Sequence, residues 1–346
     1  MASTAAILIS MVAVEDKGVI LGPRDNGWES LAVSNPGVIR SDNVNWMFYR
    51  AVDCDNVSRI GWAKINGAEI LERGSEPLME PEHDFEFKGL EDPRVVEVEG
   101  KFYMFYAAYD GESARMAYAV SNELPVFKKM GVISAELTYN EAGYILGGQN
   151  LDEKYTNFAK FHIDNQGSQA KLWQKDAFLF PRKFNGKYLM IHRVLPGIQL
   201  LEFEDFSELT PDFWRKELEK LSENILLDPV YTWESNNIGG GCPPIETADG
   251  WLLIYHAVEF SGGINVYTAG VALADLDNPR KIIGRLKKPL FSPTQVFEKT
   301  GVVPFVVFPS GALVENDDLW VYYGAADKVI GAKKISISQL LKALKS

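Results

Sequence analysis

Trp46-Met47-Phe48-Tyr49-Arg50 is a run of large apolar side chains closed by a cation, and the chain writes it four more times: Tyr103-Met104-Phe105-Tyr106-Ala107, Leu189-Met190-Ile191-His192-Arg193, Leu252-Leu253-Ile254-Tyr255-His256 and Trp320-Val321-Tyr322-Tyr323-Gly324. Turn residues precede several of them, as in Glu99-Gly100-Lys101, Asn185-Gly186-Lys187 and Ala248-Asp249-Gly250. Each therefore reads as a buried strand entered from a hairpin. Further apolar runs lie upstream of all five, at 36–39, 93–98, 177–184, 244–245 and 309–314, and downstream of the first four, at 60–63, 116–119, 198–203 and 269–273. Several antiparallel strands per unit, repeated at intervals of tens of residues, predict radial blades rather than a sandwich. The expectation is an all-β chain, a five-bladed β-propeller forming one catalytic domain over 1–346.

The interval between the second and third runs is the longest. It holds 136–174, rich in Asn, Gln, Gly and Lys, which predicts a long inserted loop over one face. Thr210-Pro211-Asp212-Phe213 combines an N-cap residue, proline at the first helical position and early acidic charge, so a short surface helix should run from there to about Ser222. Residues 336–345 should form another.

Composition narrows the function. With 46% hydrophobic and 24% charged residues the chain is an ordinary globular protein, and its net charge of −12 argues against binding a phosphate backbone, which takes clustered Lys and Arg. No apolar stretch approaches the length that spans a bilayer. The apolar run in Met1 to Met11 has no basic residue before it, which is poor chemistry for a secretory leader. A cytoplasmic location is expected, or a periplasmic one had a leader been trimmed. Cys54 and Cys242 make no disulfide framework. His83, His162, His192 and His256 lack zinc-ligand spacing, and there is no phosphate loop. Neither metal nor cofactor is expected, and neither nucleic acid nor membrane as partner; self-association is left open.

Aligned strands bring aligned residues to equivalent points, so a polar column among apolar neighbours should face a shared centre. One column reads Arg50, Ala107, Arg193, His256, Gly324, and three residues on another reads Asp53, Asp110, Pro196, Glu259, Asp327. Three cation-capable side chains in the first suggest convergence on one place, although each arginine could instead pair with a local carboxylate. The acidic column suits sugar hydroxyls or ordinary turns such as Tyr109-Asp110-Gly111-Glu112. Upstream, Asn35-Pro36 and Asp92-Pro93 align, with Asp176-Ala177 a looser match. Asp92 stands out, because the following proline restricts its backbone to extended or turn geometry and aims its side chain.

These residues together resemble glycoside hydrolase family 130, the β-mannoside phosphorylases and β-mannosidases, over nearly the whole length. The resemblance rests on Gly89-Leu90-Glu91-Asp92-Pro93-Arg94-Val95, Lys175-Asp176-Ala177 with Leu179-Phe180-Pro181, His192-Arg193, Ile238-Gly239-Gly240-Gly241 with Pro243-Pro244-Ile245, Gly250 to His256, and Tyr322-Tyr323-Gly324-Ala325-Ala326-Asp327. It implies a five-bladed propeller with Asp92 as general acid, acting on the glycosidic oxygen through a sugar hydroxyl. Asn35, Arg50 and Asp327, with Glu91 beside the acid, would line the mannose site. Lys175, Arg193 and His256 would hold phosphate. The family usually has Arg where Lys175 stands, and the fourth member of its phosphate pocket, usually Lys, falls at Asn237. Tyr103, Tyr323, Trp62 and Trp233 are candidates to stack on sugar rings.

An inverting hydrolase needs a second carboxylate to activate water, whereas phosphate is itself the nucleophile and needs cations to hold it. Arg193 favours phosphorolysis, that is, an inverting, glycosyltransferase-type phosphorylase cleaving manno-oligosaccharide or mannosyl-glucose with inorganic phosphate as co-substrate to give mannose 1-phosphate. The altered Asn237 leaves an inverting β-mannosidase as the alternative, with Glu234 or Glu246 as the base. A non-catalytic glycan-binding propeller is a third reading. A glycosidase acting on arabinosides or fructosides would need three separated carboxylates, and one convincing candidate is found.

Overall fold

The computed structural model describes residues 12–25, 27–167 and 169–346; the apolar run of Met1 to Met11 lies outside them. The chain is mostly β. Its strands form five antiparallel meanders in sequence order. The first comprises Ala32–Ser41, Val44–Val52, Ser58–Asn66 and Glu69–Arg73. The second comprises Gly89–Val98, Lys101–Tyr109, Ala114–Ser121 and Lys128–Val132. A single parallel bridge, Ser58 to Gly89, joins these two into one hydrogen-bonded sheet. The third runs Gln174–Leu179, Tyr188–Val194, Ile198–Phe203 and Ile225–Leu227. In the fourth, the first strand is split into Asn237–Gly240 and Ile245–Thr247, followed by Gly250–Ser261, Ile264–Ala274 and Ile282–Arg285. The fifth, Val307–Glu315, Asp318–Ala325 and Val329–Ser336, is completed by the N-terminal strand Val14–Leu21, which pairs with its edge.

The five runs read from the sequence are the second strands of these meanders. Apolar clusters fill the gaps between neighbours. Met47 and Tyr49 of the first meander share one cluster with Tyr322, Ile330 and Ala332 of the fifth. Phe48 and Ile60 share another with Met104 and Tyr106 of the second, and Leu252 and Val271 of the fourth share one with Val307 and Val321 of the fifth. The largest cluster runs through the second, third and fourth meanders, from Phe105 through Phe178 and Met190 to Trp251. Pairing between strands and these inter-sheet clusters together bury both faces of most strands, which is why the second strands read as continuous apolar runs rather than alternating ones.

The segment 136–174 is not the loop expected. It folds into helices Tyr139–Leu146 and Glu153–Gln166, the first opened by a capping box between Thr138 and Glu141, the second capped by Asp152. Tyr155 and Ala159 are buried, and Phe158 and Ile163 pack against the largest cluster, a helical spacing that the polar composition of the segment masked. The helix expected from Thr210 is present as Pro211–Glu219, with the Thr210 hydroxyl accepting from the Phe213 N–H. The C-terminal helix is Ile337–Leu344.

Candidate active site

The first strand of each meander breaks register at the same level, opposite the end of the aligned second-strand run. Bulges fall between Ser34 and Gly37, Glu91 and Arg94, Lys175 and Phe178, and Pro309 and Gly311, and in the fourth meander the strand is interrupted after Gly240. Asn35, Asp92 and Asp176 sit in these bulges with left-handed φ of 50°, 54° and 57°. Asn and Asp tolerate that region better than other side-chain-bearing residues, so the three polar residues of the upstream column are there partly for their backbone. Asp92 is thus aimed by a left-handed bulge, not by the extended geometry that Asp-Pro alone suggests. A bulge re-aims a side chain, and here it turns three of them towards one centre.

Asn35 donates through Nδ2 to Asp92 Oδ1 at 2.7 Å. Arg50 donates to Glu91 Oε1 at 2.8 Å and to Ser58 Oγ at 2.9 Å. The Lys175 ammonium lies 3.6 Å from the other Glu91 oxygen. Arg193 Nε donates to Asp176 Oδ2 at 2.6 Å, and His256 Nε2 stands 3.9 Å from the same oxygen. Arg50 is thus paired with a carboxylate from the first strand of the next meander, and Arg193 with one from the first strand of its own. Arg193 makes no other hydrogen bond to the described residues, so its terminal nitrogens are available. Asp92, Ala107, Lys175 and Asp176 line one small recess.

Arg94, in the motif but without a role from the sequence, is the pin beneath these groups. Fully buried, it donates to the Asp92 carbonyl at 2.6 Å, the Gly241 carbonyl at 2.8 Å and the Gly240 carbonyl at 3.4 Å, and pairs with Asp176 at 3.5 Å. Three meanders are joined by one guanidinium, whose planar fork of five donors suits such a junction.

Electrostatics separate the members. Burial alone would raise the Asp176 carboxyl, but the charges of Arg193 and Arg94, with His256 alongside, hold it well below the carboxylate range. His256 is pushed down to about 3 by burial, the pull of Asp176 being insufficient to offset it, and so is neutral at pH 7. The expected third cation of the column is a neutral imidazole. Asp327 goes the other way: burial, seconded by the charges of Asp92 and Glu91 and opposed by Arg50 and Lys175, raises it to about 6.

Of the acidic column, Asp327 belongs to this centre, whereas Asp53 and Asp110 do not. Asp53 accepts from the Asp55 and Val57 N–H groups and pairs with Arg59, and Asp110 does the same with Glu112, Ser113 and Arg115; both cap their own hairpins. Asn237 is buried in its strand opposite Val258, two residues from Gly239, which faces His256. The sequence missed Tyr267, a half-buried ring beside His256 and Phe308 whose hydroxyl is raised by burial and by the charge of Asp327.

The aromatic candidates are corrected. Tyr323 is fully buried and donates to Glu298 at 2.7 Å. Tyr103 is buried at the far end of its strand, its hydroxyl 2.8 Å from that of Tyr188 and its ring stacked on Phe206. Trp233 is buried and stacks on Tyr231 and Tyr255, and Trp62 packs against Trp46. Tyr323, Tyr103 and Trp233 are not free to meet a sugar ring, because each fills the space between strands or sheets, whereas Trp62 keeps part of its ring exposed.

The aligned tyrosines instead make a repeated anchor. Tyr49, Tyr106, Tyr255 and Tyr323 each donate to a buried glutamate: Glu29, Glu86, Glu234 and Glu298. Each glutamate is also paired with a cation, respectively Arg73, Lys129, Arg285 and Lys333. The signal was present as four aromatic–glutamate pairs, Trp28-Glu29, Phe85-Glu86, Trp233-Glu234 and Phe297-Glu298. The third meander has His192 in the tyrosine column, buried against Trp214, and there Tyr155 of the inserted helix donates to Asp228 instead.

The family model described as β-1,4-mannooligosaccharide phosphorylase matches residues 25–346. The chain belongs to glycoside hydrolase family 130. Among its relatives, a 1,2-β-oligomannan phosphorylase of Thermoanaerobacter sp. (strain X514) is 33% identical over 344 residues, covering 96% of this chain and 99% of that protein. A β-1,2-mannobiose phosphorylase of the same organism is 32% identical over 95% of this chain and 98% of that one. The fold is shared with the solved β-1,2-mannobiose phosphorylase of Listeria innocua, at a TM-score of 0.72 and 21% identity, with 96% of this chain and 99% of that one covered.

Proposed function

We propose that this family 130 protein is an inverting β-mannoside phosphorylase built as a five-bladed β-propeller, in which Asp92 protonates the leaving group while Arg193, Lys175 and neutral His256 hold inorganic phosphate. Five meanders whose first strands bulge or break off at one level support the propeller reading. So does closure between last and first: Ser310 Oγ donates to the Pro36 carbonyl at 3.0 Å. A concavity at the opposite end is lined from all five, by Val38, Val95, Pro181, Pro244 and Leu313 among others. On this reading the whole chain is one catalytic domain.

The observation that carries phosphorolysis over hydrolysis is the fate of the two glutamates that could have activated water. Glu234 is fully buried, with Oε1 taken by Tyr255 and Arg285 and Oε2 by the Val230 and Tyr231 N–H groups. Glu246 is exposed, in the strand segment beyond the interruption, and pairs with Arg182. Neither can serve as a base beside Asp92. The names of the relatives point the same way. A phosphate oxygen attacks the anomeric carbon from the face opposite the leaving sugar; that C–O bond breaks, and the proton of Asp92 passes to the departing oxygen, through a sugar hydroxyl in the family manner. Arg50, Glu91, Asn35 and Asp327 supply the polar wall for the mannosyl unit, and Asn237, where the family has lysine, leaves one cation fewer around the phosphate.

Product analysis on β-1,2- and β-1,4-mannobiose and mannosyl-glucose, with and without phosphate, tests this reading. Mannose 1-phosphate should form only when phosphate is present. Equal release of free mannose in phosphate-free buffer would reject phosphorolysis in favour of the β-mannosidase, for which Asp327, with its raised carboxyl, is the remaining base.

A further inference from the structure

Asp176 is an odd neighbour for an anion site. Its carboxylate is ionised and almost wholly buried; it lines the same recess as Lys175 and Asp92, with Arg193 Nε bonded to Oδ2 and His256 Nε2 3.9 Å from that oxygen. A carboxylate facing a fully deprotonated oxyanion repels it, and in a water-poor recess that repulsion is poorly screened. A carboxylate facing an oxyanion that still carries a proton accepts a hydrogen bond from it.

We propose that Asp176 makes this pocket selective for oxyanions bearing a proton, accepting the P–OH of phosphate and disfavouring sulfate; the identity of phosphate as the natural occupant rests on the phosphorylase reading above. Two features support it. Asp176 Oδ2 and His256 Nε2 are 3.9 Å apart, too far to bond each other, yet a hydroxyl oxygen at about 2.8 Å from each would subtend an angle of roughly 90° and could accept from one while donating to the other. The gap between them is kept open by Gly239: a β-carbon there would lie 2.7 Å from His256 Nε2 and would also collide with Asp176 Oδ2. His256 has Nδ1 buried without a partner, which is tolerable for a bare acceptor nitrogen and leaves Nε2–H as the donor. Arg193, held through Nε by Asp176, keeps its two terminal nitrogens for the remaining oxygens. Inorganic phosphate retains a proton at neutral pH; sulfate has none.

Equilibrium titration of the full chain with inorganic phosphate and with sulfate at pH 7 tests the selectivity independently of turnover. Wild type should bind phosphate at least about tenfold more tightly than sulfate, the scale of one misplaced charge. Asp176→Asn should collapse that ratio, because the amide can donate to a fully deprotonated oxyanion. Gly239→Ala leaves every charge in place but fills the gap, and should weaken phosphate at least about tenfold while sparing sulfate more. Equal affinity of wild type for the two anions, an Asp176→Asn protein that loses both by one factor, or a Gly239→Ala protein that binds phosphate as wild type does would each overturn the proposal. Turnover of β-mannobiose without phosphate would sink the phosphorylase reading while leaving the measured selectivity of the pocket to stand or fall by the titration.

Discussion

Replacing Tyr323 by Phe separates the two readings of the aligned tyrosines. The ring is fully buried and would stay, so no cavity forms; what goes is the 2.7 Å bond to Glu298 Oε1. That carboxylate also takes Lys333 at 3.0 Å and the Thr294 and Gln295 N–H groups at 2.6 and 2.8 Å. The loss of one charge-assisted bond should cost about 1.5–3 kcal/mol, and in a chain of this size the unfolding midpoint should fall by roughly 2–4 °C. Burial pushes Glu298 up, but its hydrogen bonds from Gln295, Tyr323 and Thr294, with Lys333, hold it below the ordinary 4.5. A carboxylate whose folded value is depressed contributes stability above its unfolded value and loses it as pH falls through the folded one, so the deficit should shrink in acid. Differential scanning fluorimetry at pH 7 and at successive pH values stepping down from 4.5, with kcat/KM at pH 7, measures both sides. An unchanged midpoint together with a tenfold loss of kcat/KM would refute the anchor and return Tyr323 to the substrate.

Asp92→Asn should keep the wild-type unfolding midpoint and lose about 10²–10⁴ in kcat, the usual worth of a general acid, as read by steady-state phosphorolysis. Arg285→Met leaves Glu234 charged and buried with its cation gone, and should cost about 3–5 kcal/mol in a denaturant melt. Burial holds His192 and His256 at about 3, so the unfolded chain binds protons that the folded one does not between pH 6.5 and 3, and stability falls as pH drops through that window. Asp327, raised to about 6, opposes this, since its contribution is present below its unfolded value and lost as pH rises through 6. Net uptake near pH 5 should be about one proton from these three groups, measurable as the slope of unfolding free energy against pH.

Large parts of the fold were legible because they depend on short-range pattern. A buried second strand needs a run of apolar residues, and five such runs could be counted without knowing what they pack against. Helix Pro211–Glu219 announced itself through its cap and proline, which act within one turn. Helix Glu153–Gln166 did not, because its buried face is spaced among Asn, Lys and Gln and gains its stability from the third meander rather than from its own composition. The candidate centre was half legible. Asp92, Arg50, Arg193, His256 and Asp327 were found by column, but strand columns at successive positions point to opposite faces, and nothing in the residues of one strand says which face meets the centre and which meets a glutamate.

The sequence by itself determined the number of repeated units, the level on each at which polar residues interrupt the apolar runs, and the family. Tertiary structure alone decided the charge state and company of those residues. His256 is neutral because it is buried, a matter of the three meanders around it. Arg193 is tied to Asp176 in the strand beside it, and Arg94 spans three meanders from a position the motif left without a role. Tyr323 and Tyr103 became core because the space beside them is filled by residues far away in the chain. Local pattern fixes which groups alternate along a strand; desolvation and pairing are set by what other strands bring, some from the same meander, as Asp176 does for Arg193, and some from neighbouring ones, as Gly240 and Gly241 do for Arg94.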